Sequence, residues 1–531
     1  MTQNRVWRWR ALAAFLVTAS PCAFAADVVK TDKGAMEGAR SADSKIRIFK
    51  GIPFAAPPVG DLRWKAPQPV ASWGGVRKAV EFGPRCMQTN VFGDMVFRDK
   101  GPSEDCLYLN VWTPAKAADA HLPVMVWVYG GGFVAGATSE PRQDGENLAR
   151  KGVVVVSMNY RLGIFGFLAL PELAKESGHK ASGNYGLLDQ VAALQWVRGN
   201  IAAFGGNPDN ITIFGESAGS FSVSALMASP LSKDLIHKAI GESGAFFGKT
   251  LGAKSLAESE EADAKFARQS LGTDSLAALR AKPADQLLAT TKGPGAFRFA
   301  PNIDGYFLPE SVPAIYASAN QAHVPLLAGW NGDEGSYHAI FQHEAPTAQN
   351  FRTWARTHYG DKTDELLKVY PASTDEQAKR SAQDLAGDQF IGFSTWKWLD
   401  MQLQTGNSPV YRYKFEDAPP PPTDHSETES HGAYHSAEIE FVFEALPSKN
   451  LPWRPDDRKL SDVMSSYWAN FAKKSDPNGN GLPKWPRYNK EGGYQVMHLK
   501  ADSQAAPAQH MARYEFLDQW EQNQSREGGS K

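Results

Sequence analysis

Short apolar runs alternate with longer stretches of helical periodicity along most of this chain. Residues 187–204 and 456–473 repeat their apolar positions with the period of an α-helix. Between and around them lie short apolar runs, of a length typical of strands covered on both faces, at residues 124–129, 153–159, 211–215, 324–329 and 409–415. This alternation predicts an α/β fold, with a large and mostly parallel central sheet flanked by helices.

Two segments depart from this pattern and predict additions to the sheet. Residues 255–294 and 347–379 are polar and weakly patterned, and we expect both to form helical insertions over it. The sequence has no linker rich in glycine and serine and no internal repeat. We therefore expect residues 26–531 to form a single domain.

Residues 1–25 have the three parts of a secretory signal peptide. Three arginines precede an apolar run over residues 11–19, and Ala23-Phe24-Ala25 follows as a small-residue cleavage site. A membrane anchor is one alternative, but the apolar run is about half the roughly 20 residues that a spanning helix needs. Lipoprotein processing at Cys22 is another. We prefer cleavage after Ala25 and export to a periplasm or to the extracellular medium.

Composition and charge narrow the range of partners. The chain has 56 basic residues against 58 acidic ones, a balance that argues against nucleic acid or an anionic membrane as the partner. Apolar residues make up 42% of the chain and aromatic residues 11%, enough for a large packed core. We expect a small-molecule partner, no nucleic-acid partner, and no membrane partner after signal cleavage. The oligomeric state stays open between monomer and dimer.

Removal of the signal peptide would leave two cysteines, Cys86 and Cys106. Export would place them where a disulfide can persist. Neither has a second thiol at C-x-x-C spacing, which disfavours a metal or redox role. We expect a structural disulfide that closes a loop of about 20 residues and adds about 3 kcal/mol of stability on the chain-entropy model.

The first candidate for chemistry is the pentapeptide Gly215-Glu216-Ser217-Ala218-Gly219. It follows the apolar run at residues 211–215 and precedes a helix-compatible stretch at residues 220–229. A strand, a tight turn and a helix with serine at the apex form a nucleophile elbow. We therefore select Ser217 as the candidate nucleophile, and a serine hydroxyl needs a base and an acid to activate it.

Candidates for both partners follow Ser217 in the chain. Asp333 and Glu334 come shortly after the predicted strand at residues 324–329, and His435 lies further on. In hydrolases with this elbow the chain order is serine, then an acidic residue, then histidine. The residues alone leave Asp333 and Glu334 as rivals for the acid.

At this point the chain resembles the type-B carboxylesterase and cholinesterase family, which belongs to the α/β-hydrolase superfamily. The resemblance extends through nearly all of the sequence after the signal peptide. It rests on the elbow, on the acid and histidine segments, and on four further motifs: Phe49-Lys50-Gly51-Ile52-Pro53-Phe54-Ala55, Ser103-Glu104-Asp105-Cys106-Leu107-Tyr108-Leu109-Asn110, Tyr129-Gly130-Gly131-Gly132-Phe133 and Gly183-Asn184-Tyr185-Gly186-Leu187-Leu188-Asp189-Gln190.

The resemblance implies an α/β-hydrolase fold and a catalytic triad. It assigns Ser217 as the nucleophile, His435 as the general base and acid, and Glu334 as the acidic member. It also implies an oxyanion hole, formed by the N–H groups of Gly131, Gly132 and Ala218, and a supporting position at Ser243.

Three other polar residues have a less definite place. Glu216, beside the nucleophile, is either a buried carboxylate that favours protonation of His435 or a hydrogen-bonded structural acid, and the sequence does not separate these readings. Arg161 and Asp189 are interpreted as buried structural residues.

The segment between the two cysteines bears on the substrate. Choline recognition depends on an aromatic face that meets a quaternary ammonium, and in the cholinesterase branch a tryptophan of this loop provides it. Residues 87–105 contain no tryptophan, so choline esters are disfavoured. The apolar residues of the loop suit an uncharged alcohol or aryl group.

We therefore expect hydrolysis of carboxylic esters without a metal or organic cofactor, with kcat/KM rising through an apparent pKa of about 7 as His435 loses its proton. The alternatives within the family are a lipase and a specialised esterase for phenolic, drug-like or mycotoxin esters. A non-catalytic adhesion protein is an alternative from another class, and the presence of all candidate catalytic residues disfavours it.

Overall fold

The computed structural model describes residues 27–293, 298–422 and 432–528, with side chains described as far as residue 524. The predicted signal peptide at residues 1–25 lies outside the described residues. In the part that is described, no helix combines the length and the apolar character needed to cross a membrane.

Strands and helices alternate through the described residues. The strands are β1 (Val28–Lys30), β2 (Ala35–Glu37), β3 (Ala39–Arg40), β4 (Arg47–Pro53), β5 (Val76–Lys78), β6 (Arg85–Cys86), β7 (Pro102–Ser103), β8 (Tyr108–Thr113), β9 (Leu122–Val128), β10 (Val154–Met158), β11 (Gly206–Glu216), β12 (Lys238–Glu242), β13 (Lys254–Ser255), β14 (Asn302–Ile303), β15 (Leu326–Asn331), β16 (Val410–Phe415), β17 (Gln495–Leu499) and β18 (Gln504–Pro507). The helices are α1 (Glu146–Arg150), α2 (Gly163–Phe167), α3 (Pro171–Glu176), α4 (Tyr185–Asn200), α5 (Ala218–Ala228), α6 (Leu256–Phe266), α7 (Leu276–Arg280), α8 (Ala284–Ala289), α9 (Val312–Ala317), α10 (His338–Phe341), α11 (Ala348–Tyr359), α12 (Thr363–Val369), α13 (Asp375–Gly387), α14 (Phe393–Thr405), α15 (Ile439–Val442), α16 (Pro455–Lys474) and α17 (Met511–Gly528).

A large twisted sheet organises the molecule. Its strand order is β18-β17-β16-β15-β12-β11-β9-β10-β8-β4-β3. The central strands from β10 to β17 run parallel, while β18 on one side and β8, β4 and β3 on the other pair antiparallel. This confirms the predicted mostly parallel sheet.

The five apolar runs of the sequence correspond to β9, β10, β11, β15 and β16. Their residues are apolar without alternation because helices cover both faces of a parallel sheet. Strand β10, for example, is buried at every position. Trp127 of β9 packs against Phe214 of β11 and Phe443, with ring centroids 4.8 and 4.9 Å away.

Both polar segments form helices, as the sequence predicts. The first contains α6, α7 and α8, and the second contains α11, α12 and the start of α13. Helices α13 and α14 are joined by a π-helical turn, Asp388–Gly392. Such turns contain one extra residue and occur frequently at functional sites.

The carboxyl ends of the parallel strands meet at one edge of the sheet, which is where α/β proteins place their ligands. Strand β9 leads there into Gly130, β11 into Ser217 and β12 into Ser243. Glu334 follows the end of β15, and His435 lies in the loop after β16. Residues far apart in the sequence are thereby brought to one place.

Candidate active site

Ser217 lies at the apex of the turn between β11 and α5. Its backbone has φ 53° and ψ −124°, a conformation that a residue with a side chain rarely adopts. The glycines on either side allow close packing, since a Cβ on Gly219 would lie 2.0 Å from the carbonyl oxygen of Val128 and one on Gly215 2.6 Å from it. The turn is a strained strand-to-helix elbow that presents the serine hydroxyl at the edge of the sheet.

A chain of hydrogen bonds connects Ser217, His435 and Glu334. Nδ1 of His435 lies 2.6 Å from Oε2 of Glu334, and Nε2 lies 2.9 Å from Oγ of Ser217. An ionised carboxylate only accepts hydrogen bonds, so Nδ1 carries the proton that is donated to Glu334. In the neutral imidazole, Nε2 is then the acceptor for the Ser217 hydroxyl, which is the tautomer that a general base requires.

The structure distinguishes the two acids that the sequence left as rivals. The other oxygen of Glu334 accepts hydrogen bonds from Oγ of Ser243 at 2.5 Å and from the N–H of Asn331 at 2.7 Å. Asp333 faces elsewhere and accepts from Arg380 and Gln383. Glu334 is therefore the acid that contacts His435, and Ser243 contacts that acid.

The loop that carries His435 is fastened to the loop after β15. Oδ2 of Asp333 accepts from the N–H of Ala433 at 3.0 Å, and the N–H of Asp333 donates to the Ala433 carbonyl at 2.9 Å. The side-chain amide of Asn331 donates to the Tyr434 carbonyl at 2.7 Å. Asp333 thus helps to hold the histidine loop in place although it does not touch the imidazole.

The three backbone groups expected to form an oxyanion hole lie around Ser217. Ala218 is the first residue of α5, so its N–H has no acceptor within the helix. Gly131 and Gly132 have φ values of 101° and 63°, and both line the cavity that contains Ser217. A Cβ on Gly130 would lie 3.0 Å from Cβ of Ser217, so the glycine run passes directly beside the nucleophile.

Glu216 lies against the imidazole. Its Oε1 is 3.3 Å from Nε2 of His435 and has no hydrogen-bond partner among the described residues. This contact fits a carboxylate that acts electrostatically on the histidine better than a hydrogen-bonded structural acid. Burial raises the pKa of Glu216 above its usual value, although the neighbouring imidazolium of His435 opposes this shift.

The same carboxylate affects the titration of His435. Burial lowers the pKa of the imidazole, but Glu216 and Glu334 more than offset this effect and raise the pKa to about 9. This is higher than the value of about 7 expected from the sequence, which left the role of Glu216 open; the contact of a second carboxylate with the ring favours the imidazolium.

A cavity of about 260 Å³ opens in front of Ser217. Its apolar lining comes from Phe92, Met95, Phe221, Leu251, Phe390 and Ile391. Phe390 lies on the π-helical turn, is 38% exposed, and packs edge to face on His435 with ring centroids 5.1 Å apart. The cavity can hold an apolar acyl or aryl group beside the nucleophile.

Sequence reasoning did not identify Arg142 or Phe390 as part of this site. Arg142 lines the cavity although its side chain is only 8% exposed. It follows the glycine-rich segment by ten residues, a proximity that could have drawn attention to it. No sequence signal marks Phe390, because it reaches the cavity only through the packing of α13 and α14.

The predicted disulfide is present between Cys86 and Cys106. The loop that it closes contributes Phe92, Asp94 and Met95 to the cavity. The disulfide therefore constrains a loop that forms one wall of the candidate site.

Arg161 and Asp189 form a buried ion pair, with Nη2 2.7 Å from Oδ1 and side chains 3% and 0% exposed. A paired and buried arrangement of this kind fits the structural role that the sequence indicated for them.

Comparison with known proteins relates most of the chain to esterases. The model of the carboxylesterase family matches residues 25–517. The fumonisin B1 esterase of Sphingopyxis macrogoltabida is 37% identical, covering 90% of this chain and 88% of that protein. The para-nitrobenzyl esterase of Bacillus subtilis is 35% identical, covering 87% of this chain and 93% of that protein.

Solved structures give the same result for the fold. A PNB esterase structure superposes with a TM-score of 0.78 at 33% identity, covering 92% of this chain and 98% of that one. The predicted α/β-hydrolase fold is thereby confirmed.

Proposed function

The chain belongs to the carboxylesterase family and is a carboxylic ester hydrolase, and we propose that it acts through an acyl-enzyme on Ser217. The observation that supports this most directly is the unbroken series of contacts from Ser217 through His435 to Glu334, at 2.9 and 2.6 Å. A serine hydroxyl with a base at hydrogen-bond distance, itself oriented by a carboxylate, is the arrangement that makes serine nucleophilic.

In the proposed first half-reaction, Oγ of Ser217 attacks the ester carbonyl carbon while Nε2 of His435 takes the hydroxyl proton. The carbonyl π-electrons move onto the oxygen, where the N–H groups of Gly131, Gly132 and Ala218 would stabilise the negative charge. When the tetrahedral intermediate collapses, the C–O bond to the alcohol breaks and His435 returns the proton to the departing alkoxide.

In the second half-reaction, a water molecule repeats the attack on the acyl-enzyme. His435 takes a proton from the water and returns it to Oγ of Ser217 as the carboxylic acid leaves. Glu334 keeps the imidazole in the correct tautomer, and both Glu334 and Glu216 stabilise the imidazolium that forms in each transition state. The proposed chemistry uses these side chains together with the three backbone N–H groups.

Replacement Ser217→Ala tests the assignment. Hydrolysis of a neutral aryl ester should fall to the residual level left by substrate binding and the oxyanion hole, because no acyl-enzyme can form. A matched control is Ser222→Ala, since Ser222 lies on the same helix and donates to the carbonyl of Ala218 rather than to His435. Treatment with an organophosphate should add one phosphoryl group to the wild type and to the control, as measured by intact mass. Labelling of the Ser217→Ala variant would refute the proposal.

A second candidate is a narrower activity toward mycotoxin esters. It is favoured by the 37% identity to a protein described as fumonisin B1 esterase. Release of free acid from fumonisin B1, compared with release from a simple aryl ester, separates the two: a higher kcat/KM for fumonisin B1 supports the narrower activity, and no release contradicts it.

We also propose that the protein is exported after cleavage behind Ala25. The Cys86–Cys106 disulfide supports this, because disulfides persist in oxidising compartments. Protein recovered from outside the cytoplasm should have an N-terminal sequence that begins at Ala26 and a mass that corresponds to residues 26–531. An intact N-terminus in the cytoplasm would contradict the proposal.

A further inference from the structure

Arg142 places a cation in the wall of the candidate active site. It lies on the short turn Pro141–Gln143 after the glycine-rich segment, and its side chain is 8% exposed. It lines the same cavity as Ser217 and His435. This guanidinium takes no part in the proposed steps of ester cleavage.

One edge of the guanidinium is held in place by Glu140. Nε of Arg142 donates to Oε2 of Glu140 at 2.9 Å. The other oxygen of Glu140 accepts from Gln143 at 2.9 Å, and Gln143 in turn accepts from Trp127 at 2.7 Å. The orientation of the planar guanidinium is therefore fixed by buried neighbours before any ligand arrives.

The other edge is poorly satisfied. Nη1 lies 3.5 Å from Oγ of Ser436 and 3.7 Å from Oδ2 of Asp94, both at or beyond the length of a good hydrogen bond. Among the described residues, Nη2 of Arg142 has no hydrogen-bond partner. A guanidinium is matched in geometry by a carboxylate, which it binds through two parallel N–H groups.

Two other acids near Arg142 lie against other cationic groups. Glu216 lies against His435 at 3.3 Å, and Glu440 pairs with Lys449 at 2.9 Å. Asp94 remains, and its side chain is 54% exposed. Because Asp94 can turn into solvent at little cost, a carboxylate that enters the cavity can replace it beside Nη1.

An adjoining cavity adds positive charge near the site, with one acid, Asp263, among its lining residues. Leu251 lines both the candidate active-site cavity and this adjoining one, in which Lys249 and Lys254 also lie. Exposed lysines attract anions over a distance of about 10 Å at moderate salt. An anionic substrate would thus be favoured by the cations of the adjoining cavity as well as by Arg142 beside the nucleophile.

We propose that Arg142 binds a carboxylate of the substrate, and that the preferred esters are those that carry a free carboxylate on an otherwise apolar body. This inference rests on the proposed ester hydrolysis at Ser217 and specifies its substrate class. Arg142 is then a specificity-determining residue that touches the substrate away from the bond that breaks.

The test compares esters that differ in charge. Monoethyl glutarate and ethyl hexanoate vary the acyl part, and 4-acetoxybenzoate and 4-methylphenyl acetate vary the alcohol part. For each pair, the quantity measured is the ratio of kcat/KM for the charged ester to that for the neutral one. Because both esters of a pair use the same triad, a general effect of a substitution on catalysis affects both and cancels in the ratio.

The principal variant is Glu140→Gln/Arg142→Met, which removes both partners and so leaves no buried charge unpaired. Its charged-to-neutral ratio should fall by at least about tenfold in one of the two pairs, the loss expected for a bidentate contact to a charged group. Arg142→Lys, which keeps the charge and loses the planar fork, should give a smaller fall. Arg150→Met removes a cation paired with Asp43 and Glu146 and should leave both ratios unchanged.

Asp94→Asn gives a prediction in the opposite direction. Removal of the competing carboxylate should raise the ratio in the pair that Arg142 affects. Thermal unfolding of each variant establishes that the protein compared is folded.

The outcomes separate this inference from the proposed function. If the wild type hydrolyses the neutral esters and the ratios in the folded Glu140→Gln/Arg142→Met variant stay within about twofold of the wild type, the carboxylate site is refuted and ester hydrolysis stands. If the wild type hydrolyses none of the four esters at a rate that depends on Ser217, the proposed function itself fails.

Discussion

Replacement of Glu216 by glutamine should shift the pH dependence of ester hydrolysis. The carboxylate lies 3.3 Å from Nε2 of His435, and it contributes, with Glu334, to a histidine pKa of about 9. The amide is similar in size and carries no charge, so the imidazolium loses one of its two neighbouring anions. Protonation of His435 becomes less favourable and its pKa falls.

The size of the shift follows from the separation of the charges. Two unit charges 3.3 Å apart interact by about 5 kcal/mol at an effective dielectric constant of 20, an upper limit close to 4 pKa units. The histidine side chain is 27% exposed, and water weakens the interaction. We therefore expect a fall of about 1–3 units, the range typical of an opposite charge in contact.

The sign of the effect on rate differs between the two ends of the pH range. The proposed mechanism needs neutral His435, so kcat/KM should rise with pH through the histidine pKa, and the acidic limb of the variant should lie at lower pH than that of the wild type. On the alkaline plateau the variant should be slower, by up to about 100-fold, since Glu216 no longer stabilises the imidazolium in the transition state. Near neutral pH the two effects oppose each other and the rates converge.

The assay is kcat/KM for a neutral aryl ester from pH 5 to pH 10 at constant ionic strength. Asp94→Asn serves as the control, because it changes a carboxylate of the same cavity that lies against Arg142 rather than His435. If the acidic limb of Glu216→Gln stays within about 0.3 units of the wild type, Glu216 does not set the histidine pKa and the electrostatic interpretation is wrong.

Three further predictions concern the walls of the site. Gly131→Ala should lower kcat by about 10²–10³ through displacement of an oxyanion donor, because the new Cβ would lie 2.2 Å from the carbonyl oxygen of Ala135; steady-state kinetics that match the wild type would contradict this. Cys86→Ala/Cys106→Ala should lower the free energy of unfolding by about 3 kcal/mol on the chain-entropy model, measured by denaturant titration, and a difference below about 1 kcal/mol would show that the loop is held by other contacts. Phe390→Ala should lower kcat/KM for aryl esters by about 2- to 13-fold, the value of one aromatic contact, and an equal loss for methyl acetate would indicate that Phe390 acts on His435 rather than on the substrate.

The sequence predicted the sheet well because each strand carries its own signal. Runs such as residues 153–159 are apolar at nearly every position, and this pattern depends only on burial on both faces. The strand ends differ from the predicted ones where backbone hydrogen bonding to a neighbouring strand continues beyond the apolar run. Strand β11, for example, begins at Gly206, five residues before its apolar run. A bulge at residues 206–211 lets polar residues join that strand.

The residues of the proposed triad could also be selected from the sequence. Ser217 has a local signature in the sequence. The choice of Glu334 over Asp333 came from the family resemblance, and in the structure Glu334 contacts His435, Ser243 and Asn331. The role of Glu216 stayed open because its neighbour, His435, is 219 positions away. A contact over that distance depends on where two separate loops end, which no local pattern records.

Most of the cavity wall could not be predicted for the same physical reason, although the sequence did indicate that the apolar disulfide loop suits an uncharged group. Arg142 comes from a turn after β9, Met95 from the disulfide loop, Leu251 from the segment after β12, and Phe390 from a π-helical turn between two helices. Each reaches the cavity through tertiary packing, whereas the nucleophile, acid and histidine follow the ends of neighbouring strands in one sheet. The proposed catalytic residues are thus positioned by the sheet, whereas these four residues of the cavity wall come from four separate segments. A change in any of these segments can alter which ester is accepted while Ser217, His435 and Glu334 keep their contacts, so we expect substitutions at Arg142 and Phe390, rather than in the proposed triad, to change substrate choice.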